Sequence, residues 1–309
     1  MRRWLAILLA WGFSGCDNTD AGLVFEKYVR PDDECLNDPA AESAIFYRFD
    51  PFFQGDLDVF AVLRNDLIAE EQVFNSQLGL GVTPDARVTV TEFEHVFECD
   101  SSVFSGAGQL FLPGLGASGV PFCQNPRDRG GAFQGFDVRP TDGASIEPGQ
   151  TQPVGLKLIT GELGRRFQDM FALAVAADTC CRASVDDLCG QGRIDELPTG
   201  AGNEDCDQLR TAVVSNRLPV SEIPTLRQFA KFDVTYLDGQ GWIGSPYTLR
   251  VLGNYVGVTT GGRTVTSNQA QLTLQMAARE LEQQYLTGGL GVAQSLREQV
   301  ACQSRVILP

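Results

Sequence analysis

Nine cysteines and a single histidine are the residues from which chemistry would have to be built. Cys180, Cys181, Cys189 and Cys206 fall within one short stretch, and Cys16, Cys35, Cys99, Cys123 and Cys302 are spread along the chain. Zinc would need thiolates, usually in Cys-x-x-Cys pairs, and the stretch has no such spacing. Adjacent Cys180 and Cys181 can close a strained vicinal bridge, but bridging to different partners is the easier geometry and the expected one. Acidic side chains crowd the same stretch: Asp186, Asp187, Asp195, Glu196, Glu204, Asp205 and Asp207. Carboxylates are hard ligands, so Asp186, Asp187, Asp195, Glu204 and Asp207 are candidate calcium ligands. No Asp-x-Asp-x-Asp-Gly loop is present. A solvated acidic loop, with no metal or other cofactor, is the simpler expectation.

One histidine, His95, excludes two-histidine metal centres and forces any Ser-His-Asp triad to use it. It lies between Glu94 and Val96 in an apparent strand, the setting of an ordinary surface or half-buried residue. No Gly-x-Ser-x-Gly, phosphate-binding loop or dinucleotide fingerprint stands in a suitable context. Catalysis is therefore not expected. A carboxylate-dependent glycan hydrolase is the alternative, because 39 acidic residues always leave some pair close in space.

The first sixteen residues decide which compartment this chemistry inhabits. Arg2 and Arg3 precede the apolar run from Trp4 to Phe13, too short to span a bilayer and long enough for an export signal. The run ends in Ser14-Gly15-Cys16, which resembles the lipobox of bacterial lipoproteins, with Phe13 where that family commonly carries Leu. The resemblance implies cleavage after residue 15 and lipid on Cys16. Removing Cys16 from the count leaves eight cysteines, an even number that can pair completely in an oxidising compartment.

A second, shorter likeness lies at Cys189-Gly190-Gln191-Gly192 and Gly202-Asn203-Glu204-Asp205-Cys206-Asp207. These residues resemble the Myxococcus cysteine-rich repeat of secreted bacterial proteins, whose following half is absent here. The resemblance implies a disulfide between Cys189 and Cys206, worth roughly 3 kcal/mol for a loop of that length. Partners of the remaining cysteines stay open.

Composition bounds the rest. A formal charge of -15, with lysine only at positions 27, 157 and 231, makes nucleic acid a poor partner. The expected partners are the membrane, through the lipid, and an envelope protein or glycan. An acidic stretch with proline from 16 to 42 reads as an extended tether.

Beyond residue 43, short apolar runs bounded by Pro, Gly and Asp predict strands. They cover 44–49, 57–63, 87–91, 93–99, 109–112, 120–123, 133–138, 144–146 and 154–159. A slip in the apolar phase near Glu92 predicts a bulge. Residues 163–177 fit a helix or a strand, with 171–175 favoured as strand. Further strands are predicted at 211–214, 229–237, 247–252, 255–258 and 263–266. A C-terminal helix is predicted from Asn268 as cap to Gly288, although Leu272, Leu274 and Met276 also alternate. The expected fold is mainly β: two antiparallel, immunoglobulin-like sandwiches at 43–178 and 209–309, joined by a cysteine-rich acidic loop at 179–208. The expected role is a lipid-anchored envelope protein that binds or assembles without catalysis. Trp242 and Tyr247 are candidates for an exposed aromatic patch, and a calcium-stabilised scaffold is a further alternative.

Overall fold

The computed structural model describes residues 22–30, 38–40, 43–44, 46–67, 87–99, 137–182, 188–237, 241–244, 247–276 and 278–279. The chain is mainly β. Strands β1 (Leu23–Val29), β3 (Leu57–Asn65) and β7 (Thr151–Ile159) form an antiparallel sheet in the order β1-β3-β7. A larger sheet contains β2 (Phe46–Phe49), β4 (Val88–Cys99), β5 (Asp137–Pro140), β10 (Tyr247–Thr259) and β12 (Ala270–Met276), in the order β2-β12-β10-β4-β5. Short strands β6 (Ser145–Ile146) and β11 (Thr264–Thr266) pair with β4 and β10 respectively.

The two sheets share one core. Val59, Ala61 and Leu63 of β3 belong to the same buried cluster as Val88, Phe93 and Phe97 of β4 and Tyr255 of β10. Alternate residues of a strand point to opposite faces. Accordingly Phe60 and Val62 gather with Val29 in a second buried cluster on the other side of the small sheet. Burial on both faces explains why β3 reads as an almost unbroken apolar run. Turn 147–150 carries the chain from β6 in one sheet to β7 in the other. Its Pro148 and its Gly149, at φ 68°, fit the second and third positions of a type II turn.

The bulge predicted at Glu92 is present. Val256 pairs with Glu92 and Gly257 with Val90, so Thr91 is the extra residue of β4. The division into two sandwiches is corrected. β4 and β10, expected in separate domains, run side by side from Cys99↔Leu249 to Val88↔Thr259, and β2 lies parallel to β12. No boundary at 179–208 separates two sheets.

Between β7 and β10 the chain makes helices α1 (Gly161–Arg182), α2 (Glu204–Val214) and α3 (Ile223–Asp233), then the hairpin β8 (Val234–Leu237) and β9 (Gly241–Gly244). α1 packs against both other helices. Its residues Leu163, Phe167, Met170, Phe171, Ala174 and Ala177 are fully buried, and so are Val175 and Ala176 on other sides. A helix enclosed almost all round loses its amphipathic signature, which is why 171–175 resembled a buried strand. Residues 211–214 and 229–233 are helical too, not strand.

Two more expectations change. Residues 23–29, placed in the tether, form β1 because Leu23, Tyr28 and Val29 bury their side chains. Residues 270–276 form β12 and not the start of a helix, with Ala270, Leu272, Leu274 and Met276 buried on one face. Asn268 caps nothing there. It accepts the Phe25 N–H on Oδ1 at 2.7 Å and donates Nδ2 to the Phe25 carbonyl at 3.3 Å, pinning β1 to the other sheet. Residues 109–112, 120–123, 133–136 and 280–288 lie outside the described residues. Among those described, no helix is long and apolar enough to cross a membrane.

Candidate functional site

The cysteine-rich stretch is a pair of staples on the end of α1. Cys180 bonds Cys206 in the first turn of α2, with Cα atoms 5.3 Å apart, and Cys181 bonds Cys189 at 5.7 Å. The Cys189–Cys206 pair implied by the repeat resemblance is therefore corrected. Consecutive residues on a helix project about 100° apart, so Cys180 and Cys181 cannot face the same neighbour. The expectation of different partners for the two adjacent cysteines holds. All four cysteines are buried with Ile194, Leu197 and Leu209 in the continuation of the core.

Two acidic residues of this stretch, Glu204 and Asp207, serve its own backbone. Glu204 accepts the Gly202 N–H at 3.0 Å, which holds its carboxyl below the usual range, and Asp207 accepts the Gly200 N–H at 3.2 Å. Glu204, Asp205 and Asp207 occupy the first turn of α2, where negative charge meets the positive end of the helix dipole. The Asp195 carbonyl accepts from Arg210 at 2.8 Å, and Glu196 pairs with Arg193. Among the described residues no three His, Cys, Asp or Glu side chains gather as a metal site. Asp186 and Asp187 lie outside the described residues, as do Cys16, Cys35, Cys123 and Cys302. Cys99 ends β4, and Trp242 and Tyr247 lie in β9 and at the start of β10.

His95 is the centre of a second group. It is fully buried on the core face of β4, not half-exposed, and pairs in register with Asp137 of β5. Its ring stacks on Phe93, with centroids 5.2 Å apart, and meets Phe97 edge-on at 5.1 Å. Burial, helped by the Arg139 charge, pushes the imidazole down to about 3. The nearest carboxylate oxygen, on Asp137, stands 3.9 Å from Nε2 and instead accepts Arg139 at 3.1 Å. Burial raises the Asp137 carboxyl above its ordinary value, and Arg139 works against that rise. The arrangement holds a neutral histidine inside an aromatic stack.

The third group was not singled out in the sequence. Asp58 of β3 is 1% exposed, and neither of its carboxylate oxygens has a hydrogen-bond partner. It stands opposite Lys157 of β7, whose ammonium is bonded to Asp56. Burial lifts the Asp58 carboxyl to about 6 against the pull of Lys157. One signal was present: Asp58 interrupts an apolar run, and Lys157 interrupts another between Leu156 and Leu158.

Comparison with protein-family models, with curated proteins and with solved structures gives no match.

Proposed function

We propose that this chain is an exported, lipid-anchored protein of the cell envelope, with Cys16 as the lipidated residue and a non-catalytic binding or assembly role. The observation that carries the reading is the pair of disulfides at Cys180–Cys206 and Cys181–Cys189, which belong to an oxidising compartment. They join the export-type run of residues 4–13 and the cysteine that follows it. Burial of His95 and the use of Glu204 and Asp207 as backbone acceptors further favour a scaffold over a hydrolase or a calcium site. We read the two sheets as one sandwich interrupted by the disulfide-stapled helices. A structure of that kind presents a rigid surface to an envelope protein or glycan.

The test is the N-terminal peptide of protein purified from its native membrane. A diacyl or triacyl group on Cys16 with residues 1–15 removed is the expected result, together with release of Cys16→Ser protein from the membrane. An N-terminus retaining Met1 with a free Cys16 thiol overturns the proposal.

A further inference from the structure

The outer face of the small sheet brings together one amine and two carboxyls in an unusual setting. Asp58 and Lys157 are directly opposed on β3 and β7, so their side chains leave the sheet on the same face. Phe60 and Val62 continue that face from Asp58 and are buried with Val29. An unpartnered carboxyl in apolar surroundings costs the fold stability, and ionised it would cost more. Lys157 is the cation among the described residues that acts on Asp58, yet it is bonded to Asp56. Among the described residues, Lys157 and Asp56 are the charges that act on Asp58. The molecule thus keeps an amine against one carboxyl and a second, protonatable carboxyl unused beside them.

We propose that Lys157 and Asp56 join in a side-chain amide, an intramolecular isopeptide cross-link between β7 and the entry to β3, with Asp58 as the proton shuttle. The step balances without any co-reactant. Proton transfer within the ion pair gives a neutral amine and a carboxylic acid. The Lys157 nitrogen attacks Cγ of Asp56, a C–N bond forms, and the C–O bond to the hydroxyl breaks. Asp58 gives its proton to the departing oxygen and recovers one from nitrogen, so one water leaves and no net charge is consumed. A carboxyl raised to about 6 can give up and take back a proton close to neutral pH. Side chains 34% and 32% exposed leave the water a way out. Lysine is required: a guanidinium stays protonated and could not attack. Two other lysines, Lys27 and Lys231, are all the chain has besides.

The test is tryptic peptide mass spectrometry of the full-length protein after reduction and alkylation. Expected is one branched species, lighter by one water than its parts. It joins the peptide from Phe49 to Arg64 to the peptide that spans Lys157, with no cleavage after Lys157. The species should disappear in Asp58→Asn and in Lys157→Arg, each checked for folding by protection of its disulfide cysteines from alkylation. Separate peptides with cleavage after Lys157 in the folded wild-type protein overturn the proposal. Water loss on an unlinked Asp56 peptide, a succinimide, overturns it as well. Full cross-linking in folded Asp58→Asn removes the shuttle. If a variant fails to fold, the wild-type peptide map alone decides whether the bond exists.

Discussion

The imidazole of His95 lies parallel to the ring of Phe93, tilted by only 7° with centroids 5.2 Å apart. Phe93 in turn meets Tyr255 at 4.5 Å, and Tyr255 faces Phe25 of β1 across the core at 6.3 Å. The histidine is thus one member of an aromatic row that ties both sheets together. Such a row tolerates a neutral ring far better than a charged one.

That position sets a pH dependence. The folded pKa is about 3 against 6.5 for the free side chain, so between these values the unfolded chain binds the extra proton. Stability contributed by the neutral ring is complete above about 6.5 and falls toward pH 3, by about 1.4 kcal/mol per unit within the window. Urea unfolding at pH 7, 5.5 and 4.5 should show this slope in the wild type and a shallower one in His95→Gln. Equal slopes would contradict it.

The disulfide pairing separates two outcomes cleanly. Cys206→Ser should expose Cys180 to alkylation and leave Cys181 and Cys189 protected. By loop length, the Cys180–Cys206 bond, with 26 residues of separation, is worth about 3.5 kcal/mol. Cys181–Cys189, with a separation of 8, is worth about 2.5 kcal/mol. Labelling of Cys189 in Cys206→Ser would restore the pairing implied by the repeat.

Gly253 is a matter of space. A Cβ there would lie 2.4 Å from the Glu94 carbonyl oxygen and 2.6 Å from Cζ of Phe93. Gly253→Ala should therefore destabilise by about 2–3 kcal/mol, as overpacking of a filled core does. Gly161→Ala, whose Cβ would meet nothing nearer than 3.8 Å, is the control and should stay within about 0.5 kcal/mol in denaturant melts.

Asp50 anchors a distant residue. Fully buried, its Oδ1 accepts the N–H of Phe52 at 3.0 Å and that of Arg279 at 2.9 Å. Asp50→Ala leaves both amides without this acceptor and should cost about 2–4 kcal/mol. Asp50→Asn keeps a carbonyl oxygen and should recover part of the loss. Comparable melting of all three proteins would show that the anchor carries no weight.

Local signals were readable where one face of an element meets water or where phase breaks. The slip at Glu92 located the bulge at Thr91, and the break between the apolar runs 144–146 and 154–159 is where the turn between sheets falls. Enclosed elements were not readable: 171–175 looks the same as strand or helix once every side is apolar. β1 was masked by acidic neighbours that dominate the composition of this stretch. Pairing of β2 with β12 depends on contacts more than two hundred residues apart, and no local pattern encodes it. The candidate groups divided in the same way. Cysteines announce themselves by type, whereas Asp58 and Lys157 become a site only when the β3–β7 register places them opposite one another.

The start of β1 at Leu23 shortens the leash. With a lipid on Cys16, residues 17–22 are the whole connection between bilayer and sheet, a reach of roughly 20 Å even fully stretched. A body that has lost Arg2 and Arg3, and so is two charges more negative than the -15 of the full chain, would then be held within a few screening lengths of anionic headgroups that repel it. Confinement and repulsion together favour the orientation that turns the most acidic surface outward. A partner would meet this protein at a fixed height and in a preferred pose, and would have to come to the membrane to do so.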